Sequence, residues 1–158
     1  MADGPSAGKP PSQSRLVMHQ LMVPEHGNAL GNVHGGVILR MVDEAGAICA
    51  MRHARLPCVT IAIDSVTFRQ PVHLGELLIC DASVTWVGRT SIEVGVKVTS
   101  ENPVTGAISH TNSAFVVYVA LGNDGRPCAV PPLLLATDDE REAFAAGAAR
   151  HARRLAER

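Results

Sequence analysis

The stretch HGNALGNVHGG, His26 to Gly36, gathers four glycines, two asparagines and two histidines directly before an apolar run, Val37 to Met51, that carries Asp43 and Glu44. Adjacent glycines at a helix start leave backbone N–H groups unshielded, and the first helical turn holds unpaired donors at a positive dipole end. Gly35 and Gly36 are therefore candidates for an oxyanion hole that receives a carbonyl oxygen during acyl transfer; close backbone packing is the competing use of the same pair. Asn28 could orient water or polarise that carbonyl through its amide, although N-A-L-G is equally a turn. Glu44 stands four residues after Arg40, the spacing of a surface ion pair. Asp43 has no such local partner and is the candidate carboxylate, with a solvent-facing acid as the plain alternative.

Gly36 and Asp43 are seven residues apart, so on one helix their backbones are separated by ~10 Å at a rise of ~1.5 Å per residue. A short aspartate side chain does not readily reach a carbonyl held at its own helix's N-terminus. If both groups serve one reaction, the carboxylate comes from a second copy of the helix, antiparallel across a twofold axis, and the dimer then holds two equivalent sites.

Other chemistries find no support. There is no G-x-S-x-G elbow, no H-E-x-x-H pair and no glycine-rich loop ending in Gly-Lys-Ser or Gly-Lys-Thr. His26, Asn32 and His34 lack the convergent ligands of a metal site, and no catalytic metal is expected. Cys49, Cys58, Cys80 and Cys128 include no C-x-x-C pair and lie in apolar contexts where packing is the default.

The elements that must position these residues follow from composition and period. The chain has 158 residues, room for one well-formed core and too few for two ordinary domains. Fourteen basic against 15 acidic residues argue against a nucleic-acid or anionic-membrane surface, and an aromatic content of 3% argues against base stacking. No apolar run reaches the ~18 residues that span a bilayer, and no secretory leader is recognisable, so a soluble protein in a reducing cytoplasm is expected.

Residues 1–14 are rich in proline, glycine and serine and are expected to form a disordered leader. Residues 15–23 can form a strand that Pro24 and Gly27 end. Val37, Ile38, Met41, Val42, Ala45, Ile48, Cys49 and Arg52 follow the spacing of one helix face. After Pro57, segments 58–68, 77–87, 91–100 and 109–121 are β-branched and alternating, joined by the short links of antiparallel neighbours. From Thr137 a second helix is expected: Thr137 and Glu140 make a capping box, and Phe144, Ala148, His151 and Leu155 form an apolar stripe. A strand, one long helix and an antiparallel meander describe an α+β fold whose sheet curls around the helix, with residues 135–158 a helical extension.

NALGNVHGGVILRMVDEAGAICAMRH, then VTFRQPVHLGELL, VGRTSIEVGVKVTSENPVTG, HTNSAFVVYVAL and GRPCAVPPL together resemble the acyl-CoA hydrolases (acyl-CoA thioesterases) of the hotdog superfamily, nearest to members with two tandem hotdog domains. The likeness runs from about Met18 to Leu134 and implies a single hotdog domain over residues 15–134. It puts the family's catalytic asparagine on Asn28 and its catalytic aspartate on Asp43, acting from different domains and hence, here, from two subunits. It implies hydrolysis of fatty acyl-CoA to free acid and coenzyme A without a cofactor. Asp43 would be general base, or nucleophile through a transient anhydride, and Gly35 and Gly36 the oxyanion hole. It further implies a homodimer as the minimal unit, a hexameric trimer of dimers, and coenzyme A phosphates near Gly88, Arg89, Thr90 and Ser91, with Arg69 a second candidate. An aryl-CoA thioesterase, a noncatalytic acyl-CoA-binding regulatory module and a dehydratase stay open as alternatives.

Overall fold

The computed structural model describes residues 7–64 and 66–158. A 20-residue helix, α1 (Gly35–Ala54), is wrapped by five antiparallel strands: β1 (Leu16–Leu21), β2 (Cys58–Ile63), β3 (Leu77–Val87), β4 (Ser91–Glu101) and β5 (Ile108–Ala120). Their order across the sheet is β1-β3-β4-β5-β2, which makes β1 and β2 the edges. A second helix, α2 (Asp138–Ala156), follows. This is the expected α+β hotdog architecture.

Alternation along the strands builds the core. Leu78, Cys80, Ala82 and Val84 of β3, Ile92, Val94, Val96 and Val98 of β4, and Ala114, Val116 and Tyr118 of β5 are buried. They join one cluster with Ile38, Met41, Val42, Ala45, Cys49 and Ala50 of α1. Full burial of a valine or leucine side chain is worth roughly 1.5–3 kcal/mol, so this face holds the helix in the curl of the sheet. The helix ends where Arg55 adopts a left-handed conformation, φ 57°, its N–H donating to the Met51 carbonyl at 2.7 Å.

Helix α2 belongs to a second packing layer. Burial alternates along the whole of β3, yet across the bulge between Val84 and Trp86 the covering element changes: Val84 joins the α1 cluster, and Trp86 does not. A Cβ on Gly147 would lie 2.5 Å from Trp86 Cβ and 2.9 Å from Glu93 Oε1, so only glycine lets α2 settle there. His151 stacks on Trp86 with ring centroids 4.4 Å apart. Glu93 is fully buried, yet its carboxylate takes two bonds from Arg150 (2.8 and 3.0 Å) and one from the Thr85 hydroxyl (2.7 Å). Arg150 also lies over the Phe115 ring, 3.5 Å from its centroid.

Four expectations are corrected. The leader, where described, is tied down rather than disordered: Lys9 N–H donates to Pro132 O, Leu134 N–H returns to Lys9 O, Pro11–Gln13 form a 3₁₀ turn, and Ser14 is buried. The Lys9 ammonium reaches the His53 carbonyl at 2.9 Å; burial, then the Arg55 charge, hold its pKa below the usual lysine value. Residues 1–6 lie outside the described residues. Segment 58–68 is a strand only to Ile63, because the chain then leaves the sheet toward the start of α1, where Arg69 N–H meets Thr111 O and Val33 N–H meets Val72 O. Ile48, expected inside, is 38% exposed, and Leu155 of the expected α2 stripe is 52% exposed; the packed α2 face is instead Gly147, Arg150, His151 and Arg154.

Replacing Arg150 by methionine strips the buried Glu93 carboxylate of its bidentate partner and leaves only the Thr85 hydroxyl and the more distant Arg154, 3.7 Å away, to answer its charge. We expect a loss of about 3–5 kcal/mol in unfolding free energy, measured by urea denaturation, with the Glu93→Gln, Arg150→Met pair recovering much of it.

Candidate active site

The loop before α1 is shaped by Asn28. Its Oδ1 accepts from Leu30 N–H at 2.9 Å and Asn32 N–H at 3.2 Å, while Gly31, at φ +81°, completes the turn. The turn use and a chemical use are therefore compatible: the side-chain oxygen is spent on the backbone, and the Nδ2 donors are left over. His26 is likewise occupied, its Nδ1 accepting from Val23 N–H at 3.0 Å, and Asn32 Oδ1 lies 3.0 Å from His73 Nδ1.

At the helix start, Val37 and Ile38 N–H both donate to the His34 carbonyl, at 3.0 and 3.4 Å, and His34 provides no side-chain cap. Among the described residues, no partner is found for the Gly35 and Gly36 N–H groups. Packing does not account for the glycines: a Cβ on Gly36 would meet nothing within 4 Å, and one on Gly35 would make ordinary contact with the Phe68 ring at 3.4 Å. Neither has a positive φ. What they leave is an uncovered pair of donors at the positive end of a 20-residue helix.

Two turns along α1, half-buried Asp43 faces β2 and the tyrosine of β5 at the margin of the core cluster. Thr60 Oγ1 donates to its Oδ1 at 2.7 Å, and the Tyr118 hydroxyl lies 3.2 Å from the same oxygen and 3.0 Å from the Asp43 backbone carbonyl. Burial, reinforced by the Asp43 charge, pushes the Tyr118 phenol well above its ordinary pKa, so it is a hydrogen-bond donor at any working pH. Glu44 is used as expected, in an exposed ion pair with Arg40 at 3.0 Å. Thr60 and Tyr118 are absent from the sequence reading. The register between β2 and β5, which pairs Thr60 with Tyr118, is a tertiary fact that no local spacing carries; the single tyrosine in a valine-rich strand was the available signal.

Within one protomer these groups divide into two sets. Asn28 and Gly35 line a shared cavity of about 240 Å³ with Ile38, Phe68 and Val72, and Asp43 is not part of it. The phosphate candidates also separate. Arg69 lines a polar cavity of about 290 Å³ with Thr67, His110, Asn112 and Ser113, beside the start of β5. The Gly88–Ser91 hairpin bonds the far end of that strand, Ala120 N–H donating to Thr90 O. From Thr111 to Ala120 is ~30 Å of extended chain, so one phosphate cannot use both arginines of a single protomer. A further cavity, of about 690 Å³, lies between α2 and the β2–β5 edge and holds none of these residues.

The described residues contain no group of three or more histidine, cysteine or acidic side chains placed to hold a metal ion. Burial pushes the thiols of Cys49, Cys58 and Cys80 up to about 12, 11 and 11, which denies them nucleophilic character near neutral pH.

A family model described as the thioesterase superfamily matches residues 30–107. The chain is 34% identical to an uncharacterised acyl-CoA thioester hydrolase of Bacillus subtilis, over 81% of this chain and 74% of the relative. It is 36% identical to the human cytosolic acyl coenzyme A thioester hydrolase over 88% of this chain, but that match spans only 38% of the human protein. Among solved structures, an apo-hexameric acyl-CoA thioesterase superimposes with a TM-score of 0.90 at 36% identity, covering 95% of this chain and 97% of the other. An acyl-CoA hydrolase from Staphylococcus aureus, in complex with butyryl coenzyme A, coenzyme A and coenzyme A disulfide, gives a TM-score of 0.87 at 28% identity, covering 96% and 92%. Structures of that enzyme also exist with an aspartate, a threonine or an asparagine replaced by alanine.

In the native protein at pH 7.5, the buried Cys49 and Cys80 should resist a disulfide-exchange reagent such as Ellman's, and full thiol reactivity should appear only on unfolding. Rapid modification of either in the folded protein, read by mass spectrometry, contradicts their burial.

Proposed function

The chain belongs to the hotdog acyl-CoA thioesterases, and we propose that Asp43 of one protomer and Asn28 of its partner cleave a fatty acyl-CoA thioester between them. The observation that carries this reading is the separation just described: the glycine-flanked helix start and the carboxylate lie two turns apart on one rigid helix, each beside an accessible surface.

The surface through which two copies would join is next to Asp43. Edge strand β2 carries Val59, Ile61 and Ile63, each more than 40% exposed, and Ile48 and Met51 of α1 are each 38% exposed alongside. An unpaired strand edge flanked by apolar side chains is a template for pairing with another chain. Antiparallel β2–β2 pairing across a twofold axis would cover it and bring each α1 start toward the other copy's Asp43. The hexameric relative supports further association of three such dimers.

In the proposed reaction, Asp43 takes a proton from water, whose oxygen adds to the thioester carbonyl. The oxyanion so formed is held by the Gly36 N–H, the Gly35 N–H and the helix dipole, while the partner's Asn28 amide donors orient water or substrate. Collapse breaks the C–S bond, the departing sulfur takes the proton back from Asp43, and the acid and the coenzyme A thiol are released with the carboxylate regenerated. Direct attack by the carboxylate through a transient anhydride uses the same atoms; single-turnover hydrolysis in ¹⁸O-water separates the routes by whether label enters Asp43. The coenzyme A phosphates would meet Arg89 with Thr90 and Ser91 from one subunit, or Arg69 from the other. Four free thiols and the cytosolic human relative support a cytoplasmic setting.

Asp43→Asn should lower kcat for thiol release from palmitoyl-CoA by roughly 10²–10⁴, the range of a general base. Asn28→Asp keeps the turn acceptor but removes the donors, and should lose activity with the loop intact. Mixing separately inactive Asp43→Asn and Asn28→Asp proteins under subunit exchange should restore about a quarter of wild-type activity, because half of the dimers are mixed and each holds one intact site. A mixture as inactive as its components would place both residues in one chain's site or outside catalysis. A strong preference for phenylacetyl-CoA over palmitoyl-CoA would reassign the substrate class.

A further inference from the structure

The proposed carboxylate does not stand alone in its protomer, and the way it is held distinguishes its two oxygens. Both hydroxyl donors near it, Thr60 Oγ1 at 2.7 Å and the Tyr118 hydroxyl at 3.2 Å, address Oδ1. Within the described residues of the protomer, Oδ2 accepts no hydrogen bond. A carboxylate fixed through one oxygen presents the other, with its lone pairs unused, in a set direction.

Tyr118 reaches this position because of a gap in the helix. It is the chain's single tyrosine, fully buried on the inner face of β5, in a sheet otherwise lined there by aliphatic side chains and one cysteine. A phenol is long enough to carry a hydroxyl from the sheet across to the helix backbone only if nothing stands between them. Gly46, one turn after Asp43, supplies the opening: a Cβ there would collide with the Tyr118 hydroxyl and lie 3.1 Å from Cζ. Gly46 has no positive φ, so backbone conformation is not what calls for glycine. A mid-helix glycine is less favourable than alanine, and here it opens the space for the bond between β5 and the Asp43 residue.

We propose that Tyr118, admitted by Gly46, is a positioning residue for catalysis: with Thr60 it anchors Asp43 through Oδ1 and leaves Oδ2 as the atom that takes the proton from water. The inference rests on the hydrolase reading above. Tyr118 does not touch the substrate; it acts by fixing the torsion of the carboxylate and by bonding the carbonyl of the same residue, so that backbone and side chain of Asp43 are held from one point.

Two variants test it. Tyr118→Phe removes the hydroxyl and keeps the ring. It should lower kcat about tenfold, in line with loss of a hydrogen bond to a charged group, with KM, native oligomer size and melting cooperativity retained. Gly46→Ala expels the hydroxyl from the other side and should lower kcat comparably. In the double variant, alanine at 46 no longer meets a hydroxyl, so its effect on kcat should shrink to less than about twofold; coupling of this kind is what two residues serving one contact produce. A purely structural role would show in melting and assembly and leave the kcat effects additive. An active wild type with Tyr118→Phe at wild-type kcat, or with additive losses, overturns the inference alone. A wild type that releases no thiol from any acyl-CoA overturns the hydrolase reading and this inference with it.

Discussion

The stiffness of an α-helix governs everything else in this molecule. Anion-stabilising amides can exist only at the start of α1, because from the second turn on each N–H is consumed by the carbonyl four residues back. A carboxylate on the same helix must stand well away from that start, or its charge would fill the site proposed for a substrate's oxygen. Once both features are carried by one rigid rod, no bending of the rod brings them together. The economical solution is a second rod running the other way, and the rest of the fold can be understood as what makes such a meeting possible.

Edge strand β2 takes part in this twice. Its backbone offers an unpaired ladder, and its Thr60 side chain holds the carboxylate. Pairing that edge would therefore fix the register between subunits and the environment of Asp43 in one step. The core favours small β-branched residues for a related reason. Valine and alanine let the sheet approach the helix closely, and the sole tyrosine is then long enough to cross the remaining distance where Gly46 gives way. Packing density elsewhere thus makes room for a polar contact at a chosen place.

The parts legible in the sequence are those with a local period or a local grammar. Strand β3 alternates over all 11 residues, β4 and β5 over part of their 11 and 13, and the expected limits of all three lie within a residue of the observed ones. The Thr137–Glu140 capping box marked the start of α2, and Arg40–Glu44 was correctly set aside as a surface pair. The roles proposed for Asn28 and Asp43 rest on residue type and on resemblance. What escaped depends on partners distant in sequence. Thr60 and Tyr118 matter only because β2 pairs with β5, and Ile48 follows the period of the buried face while facing outward, toward the surface proposed to meet another chain. Glu93 reads as a solvent-facing acid in an alternating strand until α2 folds over it with Arg150. The leader escaped for the converse reason: its prolines and glycines read as disorder, while its order comes from two main-chain bonds to residues 132–134.

That leader segment also changes how α1 is to be viewed electrically. Its Lys9 ammonium sits against the last carbonyls of the helix, those of His53 at 2.9 Å and Arg52 at 3.4 Å, while the uncapped amides lie at the opposite end. The helix is an aligned column of dipoles with a resident cation at its negative pole and room for a transient anion at its positive one. A negative charge that forms at the glycine pair forms in the field of a column already terminated at its other end. Residues that composition alone would have trimmed away as tail are thus wired to the helix pole opposite the proposed reaction site.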